Sequence, residues 1–453
     1  MFKTVTIDEI FIENVKHHID LENHQTLSKL LSAILPVDIA DLIKHLNPDE
    51  RLFVFNILEP EVAGEVLVEI EPSVQEYLLE NVDNKAITEI IQELDSDDAT
   101  DLVSNLPDDR AKEIIETIGE EVSEELEKLL PYPKDTAGGI MALEFMAVKA
   151  SDKILDAIEI IRKKKKEVEQ LYYLWVIDDY ERLVGTISLQ DLILESPEQK
   201  ISNIMNPEVI SVPLCSDQEE VIHLVKKYDL LHIPVVDEHH RLVGYITHDD
   251  IIDVMKEEVD EDISRMGGII YQDISEESPL RISRARLPWL IIGLFGGLCA
   301  AFVINQFESS LEKMIALSFF FPAIMAIGGN TGIQASTIVV RGLATGDISL
   351  MNIGKRLLTE MSTALINGII CGSLLGIIVG VWLANYGLGA MVALSLLLII
   401  LFAGFIGAAT PLALRKLNID PALATGPFVT TSNDILSLFI YLGIVTIFLR
   451  ITV

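Results

Sequence analysis

Pro427-Phe428-Val429-Thr430-Thr431-Ser432-Asn433-Asp434-Ile435-Leu436 places a carboxylate inside an apolar run that ends at Leu449. An aspartate at the centre of a membrane helix costs ~2.5–3.5 kcal/mol even on the lenient insertion scales. Such a group is kept where it faces a polar pathway, or where it bonds to a neighbouring helix, with Asn433 as a nearby partner. The stretch therefore reads as a membrane span carrying a functional acid.

Outward from it, the chain is apolar from Leu287 onward and reads as five spans. The first covers about 287–304, close to the ~20 residues a span needs. The second, 311–340, carries Pro322 and Gly328-Gly329-Asn330-Thr331-Gly332, and we expect both to interrupt it. The third is 358–383 and the fourth 391–414. The fifth, 424–449, is expected to break near Gly426-Pro427. Irregular backbone at membrane depth is tolerated only where it is buried in protein or lines an aqueous cavity. Freed carbonyls and half-helix ends hold ions in many transporters. The second and fifth spans thus mark the expected pathway. Arg281, Arg284, Arg286, Arg341, Lys355, Arg356, Arg415 and Lys416 fall on one side of this topology, Lys313 and Arg450 on the other. Basic loops stay inside, so the N-terminal region is expected in the cytoplasm and the C-terminus outside. Met1-Phe2-Lys3-Thr4 does not begin a signal peptide, and the expected location is a bacterial inner or plasma membrane.

Charge divides the chain. From Arg281 onward there are ten Lys/Arg and six Asp/Glu; of 34 basic and 69 acidic residues, the first 280 positions hold 24 and 63. A surface that acidic excludes nucleic acid as a partner. It suits cations and repels itself without them. Cys215, Cys299 and Cys371 show neither metal spacing nor a disulfide framework.

Residues 1–133 read as an acidic helical-repeat domain. Pro36, Pro48, Pro60 and Pro72 recur every twelve positions, and Asp83, Asp95 and Pro107 continue the register. Proline suits a first helical turn, and aspartate caps it or favours its dipole. Ala40, Leu42, Ile43 and Leu46 show the apolar stripe. Short units that cannot bury a face alone stack into a superhelix. Asp97 and Asp101 share a helix face; a solvated face is the reading favoured here over a cation site.

Residues 134–198 and 199–253 repeat one another. Arg182-Leu183-Val184-Gly185-Thr186-Ile187-Ser188-Leu189-Gln190-Asp191 returns as Arg241-Leu242-Val243-Gly244-Tyr245-Ile246-Thr247-His248-Asp249-Asp250, and Met141-Ala142-Leu143-Glu144 returns as Met205-Asn206-Pro207-Glu208. Each unit reads as β-α-β-β-α, with strands at 174–177, 183–188, 233–236 and 242–247. The pair resembles tandem α/β CBS modules, which bind adenosine nucleotides. That resemblance implies ATP contacts for Ser188, Asp191, Thr247 and Asp250; helix capping is the equally open alternative. No Walker-type glycine loop is present, which argues against ATP hydrolysis, and no catalytic cluster points to an enzyme. Residues 254–280 continue an acidic helix begun at Asp249, with Ile251, Ile252, Met255, Val259 and Ile263 as its apolar stripe. It leads into a transmembrane pore domain at 281–453.

This order of parts resembles the MgtE family of magnesium channels or transporters over essentially the whole chain: a multidomain membrane protein with a superhelical N-terminal domain, CBS pair, connecting (plug) helix and five-helix transmembrane domain. The most specific marks are Gly328-Gly329-Asn330-Thr331-Gly332, Asp420-Pro421-Ala422 and Asp434. The resemblance implies a homodimer in the lipid bilayer with its pore on the two-fold axis. Asp434 and the Thr430 carbonyl would meet transported Mg²⁺, with Asn330, Gly426, Pro427 and Asn433 lining the pore. Regulatory Mg²⁺ would be faced by Glu65, Asp97, Asp101, Gly139, Asp217, Glu219, Asp229, Asp250, Asp253, Glu258, Glu261, Asp262 and Asp420. Ile333 departs from the polar residue expected after the glycine motif. Mg²⁺ keeps several waters and takes few direct carboxylates, which suits one acid per subunit. The implied activity is Mg²⁺ import closed by cytosolic Mg²⁺. The alternatives are a coupled transporter of another divalent cation such as Co²⁺ or Mn²⁺, and a membrane-anchored nucleotide sensor.

Overall fold

Proline at the first helical position sets the rhythm of the N-terminal part. The computed structural model describes residues 7–163, 171–268, 279–344, 348, 353–417, 419–424 and 426–452. It divides into two compact units, Met1–Glu257 and Glu258–Val453.

The first unit opens with α1 (Glu9–Asp20) and α2 (His24–Leu31), then α3 (Pro36–Lys44), α4 (Pro48–Phe55), α5 (Pro60–Glu69) and α6 (Pro72–Asn81). The last four each start on the expected proline. α7 (Asn84–Ile91), α8 (Ser96–Ser104) and α9 (Asp108–Thr117) start one residue after the marker, which becomes the N-cap; α10 (Glu120–Leu129) follows. Asn47 and Glu50 close a capping box on α4. Ala40, Leu42, Ile43 and Leu46 are buried in one core with residues from α1 through α10. The third residue after several markers ties its helix to the end of an earlier one. Arg51 Nε donates to the Ile43 and Leu46 carbonyls at 3.1 and 2.8 Å, Gln75 to Leu67 at 2.8 Å, and Arg110 to Val82 at 2.8 Å. Helix-end carbonyls otherwise lack partners, so these side chains fix the stacking.

The two repeats follow. β1 (Ala147–Lys149), α11 (Ile154–Lys163), β2 (Tyr173–Ile177), β3 (Leu183–Ser188) and α12 (Leu189–Leu194) form the first. β4 (Val212–Pro213), α13 (Gln218–Tyr228), β5 (Ile233–Val236), β6 (Leu242–Ile246) and α14 (His248–Met266) form the second. In each sheet the first strand runs parallel and the third antiparallel to the middle one, with Val148 opposite Val176 and Val212 opposite Val235. The β-α-β-β-α expectation holds, with β6 one residue shorter than expected.

Among the described residues of the second unit, five helical stretches are long and apolar enough to cross a membrane: Ile282–Gln306, Ile315–Ala344, Ile353–Trp382, Tyr386–Lys416 and Pro421–Ile451. They correspond to α15 (Pro279–Gln306), a 3₁₀ turn (Ile315–Phe320) with α17 (Phe321–Ala344), α18 (Ile353–Trp382), α19 (Tyr386–Lys416), and a 3₁₀ turn (Pro421–Ala424) preceding α20 (Gly426–Thr452); the short α16 (Glu308–Lys313) joins the first two. The breaks next to Pro322 and at Gly426-Pro427 fall where the sequence reading expects them, but the expected interruption at Gly328–Gly332 is absent, which corrects that part of the reading. α17 runs unbroken through Gly328–Gly332, because those glycines admit a neighbouring helix instead of interrupting their own. A Cβ on Gly328 would strike Ser437, and one on Gly332 would strike Asn433, both on α20. The irregular segment lies before Phe321, where Tyr441 O–H donates to the Leu317 carbonyl at 3.0 Å. α18 and α19 close on each other through small residues: a Cβ on Gly372 would lie 2.7 Å from the Ala393 carbonyl oxygen. Such close backbone approach is how membrane helices associate.

Candidate functional site: a membrane groove and a carboxylate cluster

Within the second unit, Asp434 is half-buried on α20 and lines a groove of about 710 Å³. Thr430, one turn earlier, and Thr431 line it too, as do Arg286, Trp289, Leu290 and Gly293 of α15 and Gly267 and Gly268 after α14. Thr430 Oγ1 donates to the Gly426 carbonyl at 3.1 Å. A Cβ on Gly329 would stand 3.6 Å from Asp434 Oδ1, so the glycine motif shapes the wall behind the acid. Gly426 takes φ +33°, and a Cβ there would lie 2.8 Å from the Met266 carbonyl oxygen. This left-handed start lets α20 begin against the end of α14.

The other expected pore residues fall elsewhere. Asn433 is fully buried and faces α17, away from the groove, because consecutive helical positions point in different directions. Asn330 is exposed in a stripe with Pro322, Ala326, Gln334 and Ile338 along α17, and Ile333 is half-buried. The side chain of Pro427 lies outside the described residues.

At the end of α14, Arg265 pairs with both Glu261 and Asp420, and Asp420 also accepts from the Ala422 N–H at 2.8 Å. Burial, followed by the Asp420 carboxylate, raises the pKa of Asp262, with Arg265 opposing. Glu258 is half-buried on the same helix.

The first unit holds a second constellation. Glu144 reaches the start of α8, accepting from Ser96 N–H and Oγ, each at 2.9 Å. Ser96 Oγ in turn accepts from the Leu143 N–H at 2.9 Å. This sets Asp97 and Asp98 beside Asp250 in the first turn of α14. Burial, then Asp250 and Asp98, drive Asp97 well above the usual carboxylate range. Burial, then Asp250, Asp95, Asp101 and Asp249, push Asp98 up to about 7. Burial raises Asp250 as well, Asp249 and Asp253 adding to it and the Thr247 hydroxyl opposing. Asp101 is exposed and lies 3.7 Å from Lys134 Nζ. The solvated-face reading therefore suits Asp101 but not Asp97. Gly139 packs on the Pro133–Lys134 backbone, where a Cβ would collide.

The remaining expected ligands are dispersed. Glu65 is exposed on α5, and Asp253 is exposed on α14. Asp217 caps the start of α13, accepting from the Glu219 N–H at 2.8 Å, whereas Asp229 ends that helix at φ 52°. Among the described residues no three Asp, Glu, His or Cys side chains are grouped so as to hold a metal ion. Ser188 donates to Asp191 at 2.6 Å and Thr247 pairs with Asp250, so both pairs cap helices. Asp98 and Glu144 escaped the sequence reading. The repeat Met141–Glu144 flagged the place of Glu144 but not its role. Tyr172, His232 and Tyr245 also escaped it; they meet edge to face at 5.5 and 5.4 Å, and burial lowers the His232 pKa.

Family comparisons agree with this organisation. Residues 34–135 match the MgtE intracellular N domain, 137–198 and 201–257 the CBS domain, and 321–444 the MgtE family described as divalent cation transporters. The chain is 39% identical over 330 residues to the magnesium transporter MgtE of Thermus thermophilus, covering 72% of this chain and 73% of the relative. It is 38% identical over 330 residues to the magnesium transporter MgtE of Enterococcus faecalis, covering 73% of each. A crystal structure of the cytosolic domain of the Mg²⁺ channel MgtE in complex with ATP superposes with TM-score 0.52 at 32% identity, covering 54% of this chain and 99% of that one. With the models of the MgtE N domain, of a CBS pair and of the MgtE membrane region matched in order, and with relatives 38–39% identical over nearly three quarters of both chains, the chain belongs to the MgtE family of magnesium transporters.

Proposed function

We propose that two copies of this chain enclose a Mg²⁺ pathway centred on Asp434, and that cytosolic Mg²⁺ closes it. The observation that carries the reading is the Asp434 groove: a half-buried carboxylate flanked by two threonines inside a membrane-spanning helix. Mg²⁺ holds its water tightly and is handled through few direct ligands. One acid from each copy, with Thr430 and Thr431 offering hydrogen bonds to bound water, matches that chemistry. Asn330 and Gln334 lie exposed on α17, and amides are costly in lipid. A second copy or an aqueous path removes that cost.

Closure rests on the acids of the first unit and of α14. Asp97, Asp98 and Asp250 disfavour full ionisation as placed, and a divalent cation between them relieves the repulsion. Glu65, Asp101, Asp217, Glu219, Asp229, Asp253, Glu258, Glu261, Asp262 and Asp420 are proposed to join as further or outer ligands, with the Gly139 backbone. Mg²⁺ then favours the closed arrangement to the extent that it binds that arrangement more tightly. The acidic part is placed in the cytoplasm and the C-terminus outside, following the basic residues. The related cytosolic domain solved with ATP supports a nucleotide at the CBS pair, where Asp191 is exposed and Ser188 half-buried.

Asp434→Ala is expected to abolish Mg²⁺ uptake in a Mg²⁺-auxotrophic cell while still reaching the membrane. Normal uptake by that variant refutes the pathway. Liposome flux with and without Na⁺ or H⁺ gradients separates this reading from coupled transport of Co²⁺ or Mn²⁺. An absence of flux leaves the nucleotide sensor.

A further inference from the structure

Asn433 precedes Asp434 and points away from the groove. Its side chain is 0% exposed. It lies where α20 meets α17: a Cβ placed on Gly332 would collide with its Nδ2 and come within 2.9 Å of Val429 Cγ1. The far side of Gly332 is closed by α19, where a Cβ on Gly407 would collide with the Gly332 carbonyl. Neither Nδ2 nor Oδ1 of Asn433 has a hydrogen-bond partner. Nearby hydroxyls do not share this problem. Thr331 donates to the Ile327 carbonyl at 2.8 Å, and Ser395 to Met391 at 2.9 Å, each within its own helix. A primary amide has two donors and an acceptor to satisfy, and no protein group in this seam meets them.

We propose that Asn433 is a positioning residue that biases α20 toward the conducting arrangement. The seat against Gly332 is costly because the amide is unpaired there. A small displacement of α20 toward the groove gives the amide water, or the hydration shell of an ion held by Asp434. Removing one unpaired buried amide shifts such a two-state balance by about tenfold. In the arrangement described, Gly267 and Gly268 share the groove with Asp434, so the end of α14 stands at its mouth. Asn433 opposes this capped state from within the helix bundle. The inference rests on the pathway reading of Asp434.

The test is patch recording of the full-length protein in liposomes as internal Mg²⁺ is raised. Asn433→Leu keeps the shape and removes the polar atoms. It is expected to close at about tenfold lower Mg²⁺ than the parent, with unit conductance unchanged. Gly332→Ala crowds the amide out of the seam and is expected to require more Mg²⁺ to close. If Asn433→Leu does not reach the membrane, Asn433→Ala carries the same expectation, since the amide and not its bulk is at issue. An unshifted closing concentration overturns the inference. So does a lowered unit conductance, which would place Asn433 on the ion path. A parent protein that conducts no Mg²⁺, or an Asp434→Ala variant that does, overturns the pathway reading instead.

Discussion

Asp98→Asn tests whether crowded carboxylates oppose the docking of α8 beside the start of α14. Burial and four neighbouring acids raise the Asp98 pKa from 3.8 to about 7. Every tenfold gain in proton affinity corresponds to about 1.4 kcal/mol, so ionising Asp98 in place costs on the order of 4 kcal/mol. The sign follows from proton binding. The folded state holds the proton more tightly, so the Asp98 contribution is intact below 3.8, is lost as pH rises from there to about 7, and is absent above. A cation bound only to the docked state, at a hundred times its dissociation constant, returns about 2.7 kcal/mol. The assay is hydrogen exchange of the buried α8 amides, Leu102 and Val103, in the full-length protein, corrected for intrinsic rates. Without Mg²⁺, protection in the parent is expected to fall between about pH 4 and 7 and to level off above. At pH 8 Asp98→Asn is expected to slow exchange by up to about a thousandfold, and Mg²⁺ is expected to move the parent toward the variant. Unchanged α8 exchange in Asp98→Asn at pH 8, or parental protection that rises with pH, refutes the reasoning.

Arg110→Ala is expected to destabilise the N-terminal repeats by about 2–3 kcal/mol, since hydrogen bonds from a charged donor contribute about 1.5–3 kcal/mol and Arg110 serves Asn84, Val82 and the end of α6. The check is exchange of α6 and α7 amides; Arg110→Lys is expected not to restore it, because an ammonium lacks the planar fork. Gly372→Ala is expected to lower the melting temperature in detergent, because its methyl would lie 2.7 Å from the Ala393 carbonyl oxygen and overpacking costs about 1–3 kcal/mol. A variant that melts with the parent would show that α18 and α19 separate freely.

Much of the architecture was legible because it rests on local rules. Proline cannot donate a backbone hydrogen bond, so Pro36, Pro48, Pro60 and Pro72 could only begin helices, and they do. Asp434 stood out because acids are scarce in apolar spans, and it lies in the groove. What misled was glycine. Gly328-Gly329-Asn330-Thr331-Gly332 has the composition of a break, yet in a membrane bundle glycine also lets a second helix approach, and the identity of that second helix is not local information. Asn433 faces α17 and not the groove, since the next residue on a helix lies about 100° round from Asp434. The cap of α8 by Glu144 joins residues 48 positions apart, and no periodicity carries that. A signal for Arg51 and Arg110 did exist. Pro48-Asp49-Glu50-Arg51 and Pro107-Asp108-Asp109-Arg110 repeat one pattern, and in both the arginine binds carbonyls at or just beyond the end of a preceding helix.

Arg265 sharpens what the acids of the second unit are able to do. The family resemblance implies that Asp420 and Glu261 face regulatory Mg²⁺, yet both are engaged by one guanidinium. One guanidinium offsets only one of the two charges, yet it already bonds both carboxylates, so for an ion to occupy that place Arg265 must release at least one of them. These pairs are part-buried, a quarter to a third exposed, so the ion must take up the freed carboxylate as Arg265 leaves it. Asp262 differs. Burial and Asp420 disfavour its charge, and it forms no ion pair among the described residues. In the closure proposed above, incoming Mg²⁺ would have most to gain at Asp262, with Asp420 recruited as Arg265 lets go. On that reading the end of α14 would exchange an internal cation for an external one. That exchange would make closure depend on the difference between arginine and Mg²⁺ as partners, not on the full attraction of either.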